Sequence, residues 1–356
     1  MYSKSLEEKY PSYRYVFYEF DVPESYIEDK AFIHFVNQHE KSMKRFYRNA
    51  LHRGEMVLPL MQGQLLEEGV SDLFIYLSMV ESGFSTNAVS SKKAVGLWQF
   101  MPATAKYYQL NINGNYDERY DTFSATSAAI KYLNRLYQQF GKWYLAAMAY
   151  NCGEGCVKKA ILKAGSDDLS LLTDNHLKYL PKETRKYMKK ILLVAMIGEN
   201  SLITFNRVSK HEKKLTQVEV SSLTSLEEIA KLITMKLDDL LKLNPAFKNG
   251  KIPSGKSTYN LYIPVEKIYA FYLRYEMPET REKKVLCQKK EKKNNYQIHM
   301  ITHRVKMGET LESIAKYYGN DREEIRKINH LEDESLTLGR LLVLYVSEEK
   351  FKNISK

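Results

Sequence analysis

Two stretches of the chain repeat one another. LEEIAK at Leu226–Lys231 returns as LESIAK at Leu311–Lys316, and DDLLKLN at Asp238–Asn244 returns as EEIRKIN at Glu323–Asn329, at the same offset and without a gap. Self-similarity of this kind means one supersecondary unit used twice. Short β-type runs flank each copy: VEV and YNLYIP around the first, THRV and RLLVLYV around the second. Each copy therefore reads strand–helix–helix–strand, giving two small βααβ units over 215–266 and 300–347. Between them the Lys-rich run REKKVLCQKKEKKNN, in a segment set at 280–299, reads as a solvated linker. No aromatic residue interleaves with it, as would be expected of a nucleic-acid-binding tail.

Upstream of the repeats the pattern is helical. SMKRFYRNALHRGEMVLPLMQGQLLEEG carries helical periodicity up to Gly69. In DTFSATSAAIKYLNRLYQQFG, residues Ala125, Ala128, Ala129, Tyr132, Leu133, Leu136, Tyr137 and Phe140 form an apolar stripe that Gly141 ends. WYLAAMAYN forms a further helix, stopped at Gly153. Ser90–Phe100 reads as a short loop or hairpin before Pro102 opens the next helix. The expected architecture is mainly α. Residues 1–50 form an N-terminal helical or extended segment, 51–205 a helical domain, and the two βααβ units follow.

Composition narrows the class without choosing a function. The 356 residues are 44% hydrophobic, enough for a core, and carry a net charge of +11. That balance permits an anionic partner such as nucleic acid, a membrane surface or an acidic wall polymer. No apolar stretch reaches the roughly 18–20 residues of a membrane helix, and MYSKSLEEKYPSYRYVF holds no apolar signal region. The expectation is a cytosolic protein or the mature form of an exported one. Of three cysteines, Cys152 and Cys156 sit four apart in NCGEGC. They read as a small bridged loop in an oxidising compartment, or as two free thiols. No His or further Cys lies nearby to complete a metal site, so neither metal nor cofactor is expected.

The most telling acid is Glu81. On a helix running from Asp72, Leu73, Leu77 and Glu81 fall at i, i+4 and i+8, so the carboxylate extends an apolar stripe. Desolvation there favours the neutral acid and raises its pKa, which suits an acid catalyst of glycoside cleavage. A cap or salt bridge at a helix end is the plainer reading of the same residue.

Five blocks in order add to that reading: ESGF, AVSSKKAVGLWQFMPATA, YDERYDTFSATSAAIKYLNRLY, FGKWYLAAMAYNCGEG and YLPKETRKYMKKIL. Together, over roughly Leu51–Leu193, they resemble the lysozyme-like lytic transglycosylases of glycoside hydrolase family 23, of the membrane-bound D type. The βααβ units resemble LysM modules, GETLESIA most clearly; the first lacks the Gly-Glu-Thr opening and reads as a degenerate copy. The resemblance implies a lysozyme-like catalytic domain with Glu81 as sole acid and base, and Ser82 shaping the turn after it. It implies substrate contacts from Ser90, Trp98, Gln99, Phe100, Tyr150, Asn151 and Tyr187. Trp98, Phe100 and Tyr187 can equally be packing residues, and Asn151 a helix terminator. Asp117, Arg119 and Asp121 read as a structural charge cluster.

The implied reaction cuts the β-1,4 bond between N-acetylmuramic acid and N-acetylglucosamine, closing a 1,6-anhydro ring. Implied partners are peptidoglycan glycan strands, with N-acetylglucosamine-containing glycan at the LysM module. Nucleic acid is not expected. The implied place is the periplasm or cell envelope, and any membrane association would come from a segment absent from this chain. A hydrolytic muramidase of the same fold and a non-catalytic glycan-binding wall protein are the alternatives.

Overall fold

The computed structural model describes residues 4–201, 215–256, 258–275, 298–329, 331, 333–337 and 339–354. Eleven helices precede the repeats among these residues: α1 Leu6–Lys9, α2 Tyr13–Glu19, α3 Lys30–Gly54, α4 Leu58–Glu67, α5 Ile75–Ser82, α6 Pro102–Tyr107, α7 Thr122–Phe140, α8 Trp143–Cys152, α9 Glu154–Ala164, α10 Leu169–Thr173 and α11 Lys182–Glu199. Their boundaries follow local chemistry. The Asp29 carboxylate caps α3 by accepting from Phe32 N at 2.7 Å, and Asp121 caps α7 by accepting from Ser124 N at 2.7 Å. Gly141 ends α7 in the left-handed conformation. The stretch with helical periodicity up to Gly69 divides between two helices, α3 and α4. Pro59 explains the break: its ring would strike the carbonyl of Glu55 in a continuous helix, and it has no N–H to give.

Helix α11 is the axis of the helical domain. Of its last fifteen residues, from Arg185, only Lys186 and Lys190 reach beyond the core before Glu199, and the helix packs against α2, α3, α5 and α8. One apolar core runs from Leu6 through Phe17, Phe32 and Tyr47 to Ile197. The boundary expected at residue 50 therefore falls inside α3, and the N-terminal segment contributes to the helical domain's core. Periodicity could not show this, because contacts such as that of Phe20 with Phe74, ring centres 5.0 Å apart, form only across the folded chain.

The repeats fold as read. Strands β1 Leu215–Ser221 and β2 Thr258–Pro264 pair antiparallel, Leu215 opposite Pro264; β3 Ile298–Arg304 and β4 Leu341–Ser347 pair likewise, Ile298 opposite Ser347. Helices Leu226–Leu232 and Leu237–Leu243 lie between the first pair, and Leu311–Tyr318 and Arg322–Ile328 between the second. The asparagine closing each copy does the same work in both. Asn244 Nδ2 donates to Leu240 O and Tyr262 O, and its Oδ1 accepts from Tyr262 N. Asn329 makes the matching three bonds with Ile325 O, Val343 O and Val343 N. In the second copy Thr310 forms a capping box with Ser313. The Lys-rich linker lies, up to residue 297, outside the described residues, as do 202–205 of the expected helical domain.

Two compact units can be drawn among the described residues: Met1–Glu227 with Lys236–Val265, and Glu228–Met235 with Glu266–Lys356. Among the described residues no helix is long and apolar enough to cross a membrane.

Candidate functional site

Glu81 stands on the last turn of α5, a helix whose residues Ile75–Met79 are all buried. Gly83 ends the helix at φ 57°, where a Cβ would come within 2.5 Å of an Arg53 guanidinium nitrogen. Arg53 Nε donates to Gly83 O at 2.8 Å, which pins the turn. Ser82 Oγ donates to Ser78 O and accepts from Phe84 N, both at 3.1 Å, so it shapes the turn after the acid as expected.

The Glu81 carboxyl is only partly exposed, and Tyr187 Oη donates to its Oε1 at 2.5 Å. Burial pushes its pKa up to about 7, against the opposing Tyr187 hydrogen bond; Glu183 raises it further and Lys190 opposes the rise. A carboxyl poised there can hold a proton near neutral pH and also release it. The Tyr187 and Tyr150 hydroxyls are both held well above their usual range, chiefly by burial and then by the Glu81 charge. Both phenols therefore remain proton donors beside the acid.

The loop Ala88–Phe100 is folded by isolated bridges Val89–Val95 and Val95–Phe100. Ser90 belongs to its turn: Ser90 Oγ accepts from Ala94 N at 2.9 Å. Gln99 Nε2 donates to Gly96 O at 2.8 Å and Ala88 O at 3.3 Å. Tyr150 Oη donates to Trp98 O at 2.7 Å, and Ser78 Oγ to Leu97 O at 2.8 Å, so α8 and α5 both hold this loop. Asp117 and Arg119 complete the hold. Arg119 donates to both Asp117 oxygens (Nε at 3.0 Å, Nη2 at 2.8 Å), and its Nη1 reaches Lys93 O at 3.0 Å and Phe100 O at 3.2 Å. The pair is structural, as read, but its role as the clamp on this loop lay beyond sequence patterning.

Two expectations need correction. Trp98 is fully buried with its indole N–H bonded to Thr126 Oγ1 at 2.9 Å, and Phe100 is 2% exposed. Both are core anchors of the loop, with no face left for substrate. Asn151 is not a terminator: α8 runs through it to Cys152, and Gly153 ends the helix at φ 87°. Asn151 Oδ1 instead accepts from Thr184 Oγ1 at 2.8 Å, tying α8 to α11. Sequence reading also passed over Tyr108 as a site neighbour. Its ring lies 5.1 Å from that of Tyr132, which lies 5.1 Å from that of Tyr150. Cys152 and Cys156 are disulfide-bonded, Cα to Cα 5.9 Å, across the start of α9.

Three family matches lie along the chain. Residues 62–172 match the transglycosylase SLT domain, 214–279 the LysM-like domain of the lytic transglycosylase MltD, and 303–344 the LysM domain. The chain is 29% identical over 304 residues to the membrane-bound lytic murein transglycosylase D of Escherichia coli K12, covering 85% of this chain and 66% of that protein. It thus spans just under two thirds of that relative's length. It is 36% identical over 129 residues to a putative tributyltin chloride resistance protein of Alteromonas sp. strain M-1, covering 32% of this chain and 62% of the relative. Over 151 residues it is 35% identical to the peptidoglycan transglycosylase gp16 of Escherichia phage T7, covering 41% of this chain and 11% of the phage protein. Glu81 and the loop that faces α8 fall inside the segment that matches the SLT domain, and the two βααβ units lie on the segments that match the MltD LysM-like domain and the LysM domain, so the chain carries a transglycosylase SLT domain followed by two LysM-type modules.

Proposed function

We propose that this chain cleaves peptidoglycan as a lytic transglycosylase, with Glu81 as its acid and then its base. The observation that carries the reading is the partly buried Glu81 carboxyl, its pKa pushed up to about 7 inside an SLT domain. In the protonated form it gives its proton to the glycosidic oxygen between N-acetylmuramic acid and N-acetylglucosamine. The resulting carboxylate then takes the proton of the sugar's own C6 hydroxyl, which closes on the anomeric carbon as a 1,6-anhydro ring. The substrate's N-acetyl carbonyl stands in for a second enzyme carboxylate. Tyr187 orients Glu81 and steadies the carboxylate left after the first step. Ser90, Gln99, Tyr150 and Asn151 are the residues we assign to substrate around it. The disulfide Cys152–Cys156 fits an oxidising compartment, and with the substrate it supports the cell envelope, the periplasm in particular, as the site of action.

A hydrolytic muramidase is the second reading, because Glu183 lies near enough to raise the Glu81 pKa and could serve a water nucleophile. Glu154, by contrast, pairs with Arg135 at 2.9 Å. Mass spectrometry of digested peptidoglycan separates the readings. Muropeptides ending in 1,6-anhydro sugars are expected; products ending wholly in reducing sugars would overturn transglycosylation in favour of hydrolysis.

The second βααβ unit is assigned to N-acetylglucosamine-containing glycan. Tethered binding raises the local substrate concentration without altering the chemistry. Removing 300–347 should weaken sedimentation with cell-wall sacculi and leave cleavage of short soluble glycans unchanged. Undiminished sedimentation would remove that role.

A further inference from the structure

The first βααβ unit contains a segment that joins the helical domain as a missing strand would. Phe247 forms an antiparallel bridge with Tyr116, with Asp117 N donating to Ala246 O at 3.1 Å and Lys248 N to Asn115 O at 2.8 Å. The bridge is sealed by rings: Tyr116 lies 4.9 Å from Phe247 and 5.1 Å from Tyr259, which stands on β2. All three are buried, at 4% exposure each. Charge follows the same line. Lys248 Nζ is 3.7 Å from Asp117 Oδ2, and Lys256 Nζ is 3.6 Å from Glu118 Oε1.

What the bridge reaches is the clamp on the loop beside Glu81. The Asp117 carboxylate is fully buried and holds the Arg119 guanidinium. Arg119 in turn holds the carbonyls of Lys93 and Phe100. The loop so held carries Gln99 and the Trp98 carbonyl that Tyr150 grips. A module that only carried glycan would not need its backbone hydrogen-bonded into residues 115–117. From this unbroken path of bonds we infer that residues 236–264 brace the catalytic loop, and that Phe247 and Lys248 are positioning residues for the reaction at Glu81. An error of about 1 Å in such a placement can cost about a hundredfold in rate, so even partial loosening should be measurable.

The test uses the full chain carrying Phe247→Leu, which keeps an apolar side chain but loses the ring packing, and separately Lys248→Ala, at a side chain 40% exposed that should not impair folding. Three readouts are taken: kcat and KM on short soluble glycan fragments, amide exchange of the 88–101 segment against that of α11, and sedimentation with cell-wall sacculi. For Phe247→Leu we expect kcat to fall about tenfold, with KM nearly unchanged. Exchange in 88–101 should quicken while α11 stays protected, and Phe247→Tyr should restore both. Lys248→Ala should move kcat and loop exchange in the same direction by a smaller factor, and Lys248→Arg should restore them. Unchanged kcat together with unchanged loop exchange would overturn the brace. So would exchange that quickens equally in α11, which means plain destabilisation, or lost sacculus binding with kcat intact, which means a glycan site. The kcat arm rests on the proposed glycan cleavage; the exchange arm does not, so a failure of one is distinguishable from a failure of the other.

Discussion

Glu81→Gln should stop cleavage while leaving the protein folded. The amide keeps nearly the same volume, and its oxygen can still accept the Tyr187 hydroxyl that now lies 2.5 Å away. It has no proton to give to a leaving oxygen. General acid–base help is worth about 10²–10⁴-fold, and here both steps pass through one group, so a loss at or beyond that range is expected in muropeptide release. The acid form of Glu81 predominates below its pKa of about 7, so the wild-type rate of proton donation should fall as pH rises through 7.

The same carboxyl makes a signed prediction about stability. Its folded pKa is raised, so between the unfolded value of roughly 4.3 and about 7 the native state binds the proton more tightly than the unfolded chain does. Its contribution to stability is therefore greatest below about pH 4 and declines as pH climbs through 7, by at most about 4 kcal/mol. Gln cannot ionise and has no such decline. The variant's melting temperature should gain on that of the wild type as pH rises from 4 to 7. A Glu81→Gln protein that melts early at every pH and still cuts at near the wild-type rate would mean that Glu81 is a structural partner and the acid lies elsewhere.

How far the chain could be read without its fold depended on the range of the forces involved. Local periodicity set Glu81 on one helical face with Leu73 and Leu77, where burying a carboxylate is costly, but by itself it left the cap or salt-bridge reading open. It was enough for the repeats, where Asn244 and Asn329 satisfy the same backbone groups at the same offset. Gly141 and Gly153 marked helix ends for equally local reasons. What escaped were choices made by distant chain. Trp98 sits in a block that reads as a site, yet Thr126 on α7 takes its indole N–H and turns it inward. Asp117 and Arg119 are two residues apart and looked like any charge cluster. Their function depends on carbonyls about twenty residues upstream and, through Phe247, on a strand segment beyond the helical domain. Residues 4–50 looked separable because their core partners, α11 above all, lie more than a hundred residues onward.

Gly96, the one glycine in the loop Ala88–Phe100 beside Glu81, should resist replacement. Its φ is +79°, a region where an L side chain costs roughly 1–2 kcal/mol. Gly165, at φ +63° with no atom within 4 Å of an added Cβ, isolates that cost alone. At Gly96 the added Cβ would also lie 2.0 Å from the carbonyl oxygen of Arg119 and 3.0 Å from its carbonyl carbon. Neither is a side-chain tip that can swing aside. To make room, either the Arg119 backbone or the loop must move, and the two are tied by the guanidinium's bonds to Lys93 O and Phe100 O. Gly96 also donates its N–H to Ala88 O and accepts from the Gln99 amide, so displacing it loosens bonds inside the loop. Overpacking adds about 1–3 kcal/mol to the conformational cost. At roughly 2–4 °C per kcal/mol for a domain of this size, Gly96→Ala should lower the melting temperature by about 10 °C, against about 3 °C for Gly165→Ala. Cleavage should fall further than stability does, because the displaced loop carries Gln99 and the carbonyl that fixes Tyr150. Equal melting temperatures for the two alanine variants, measured side by side, would show that the loop yields freely and that the Arg119 clamp does not set its position.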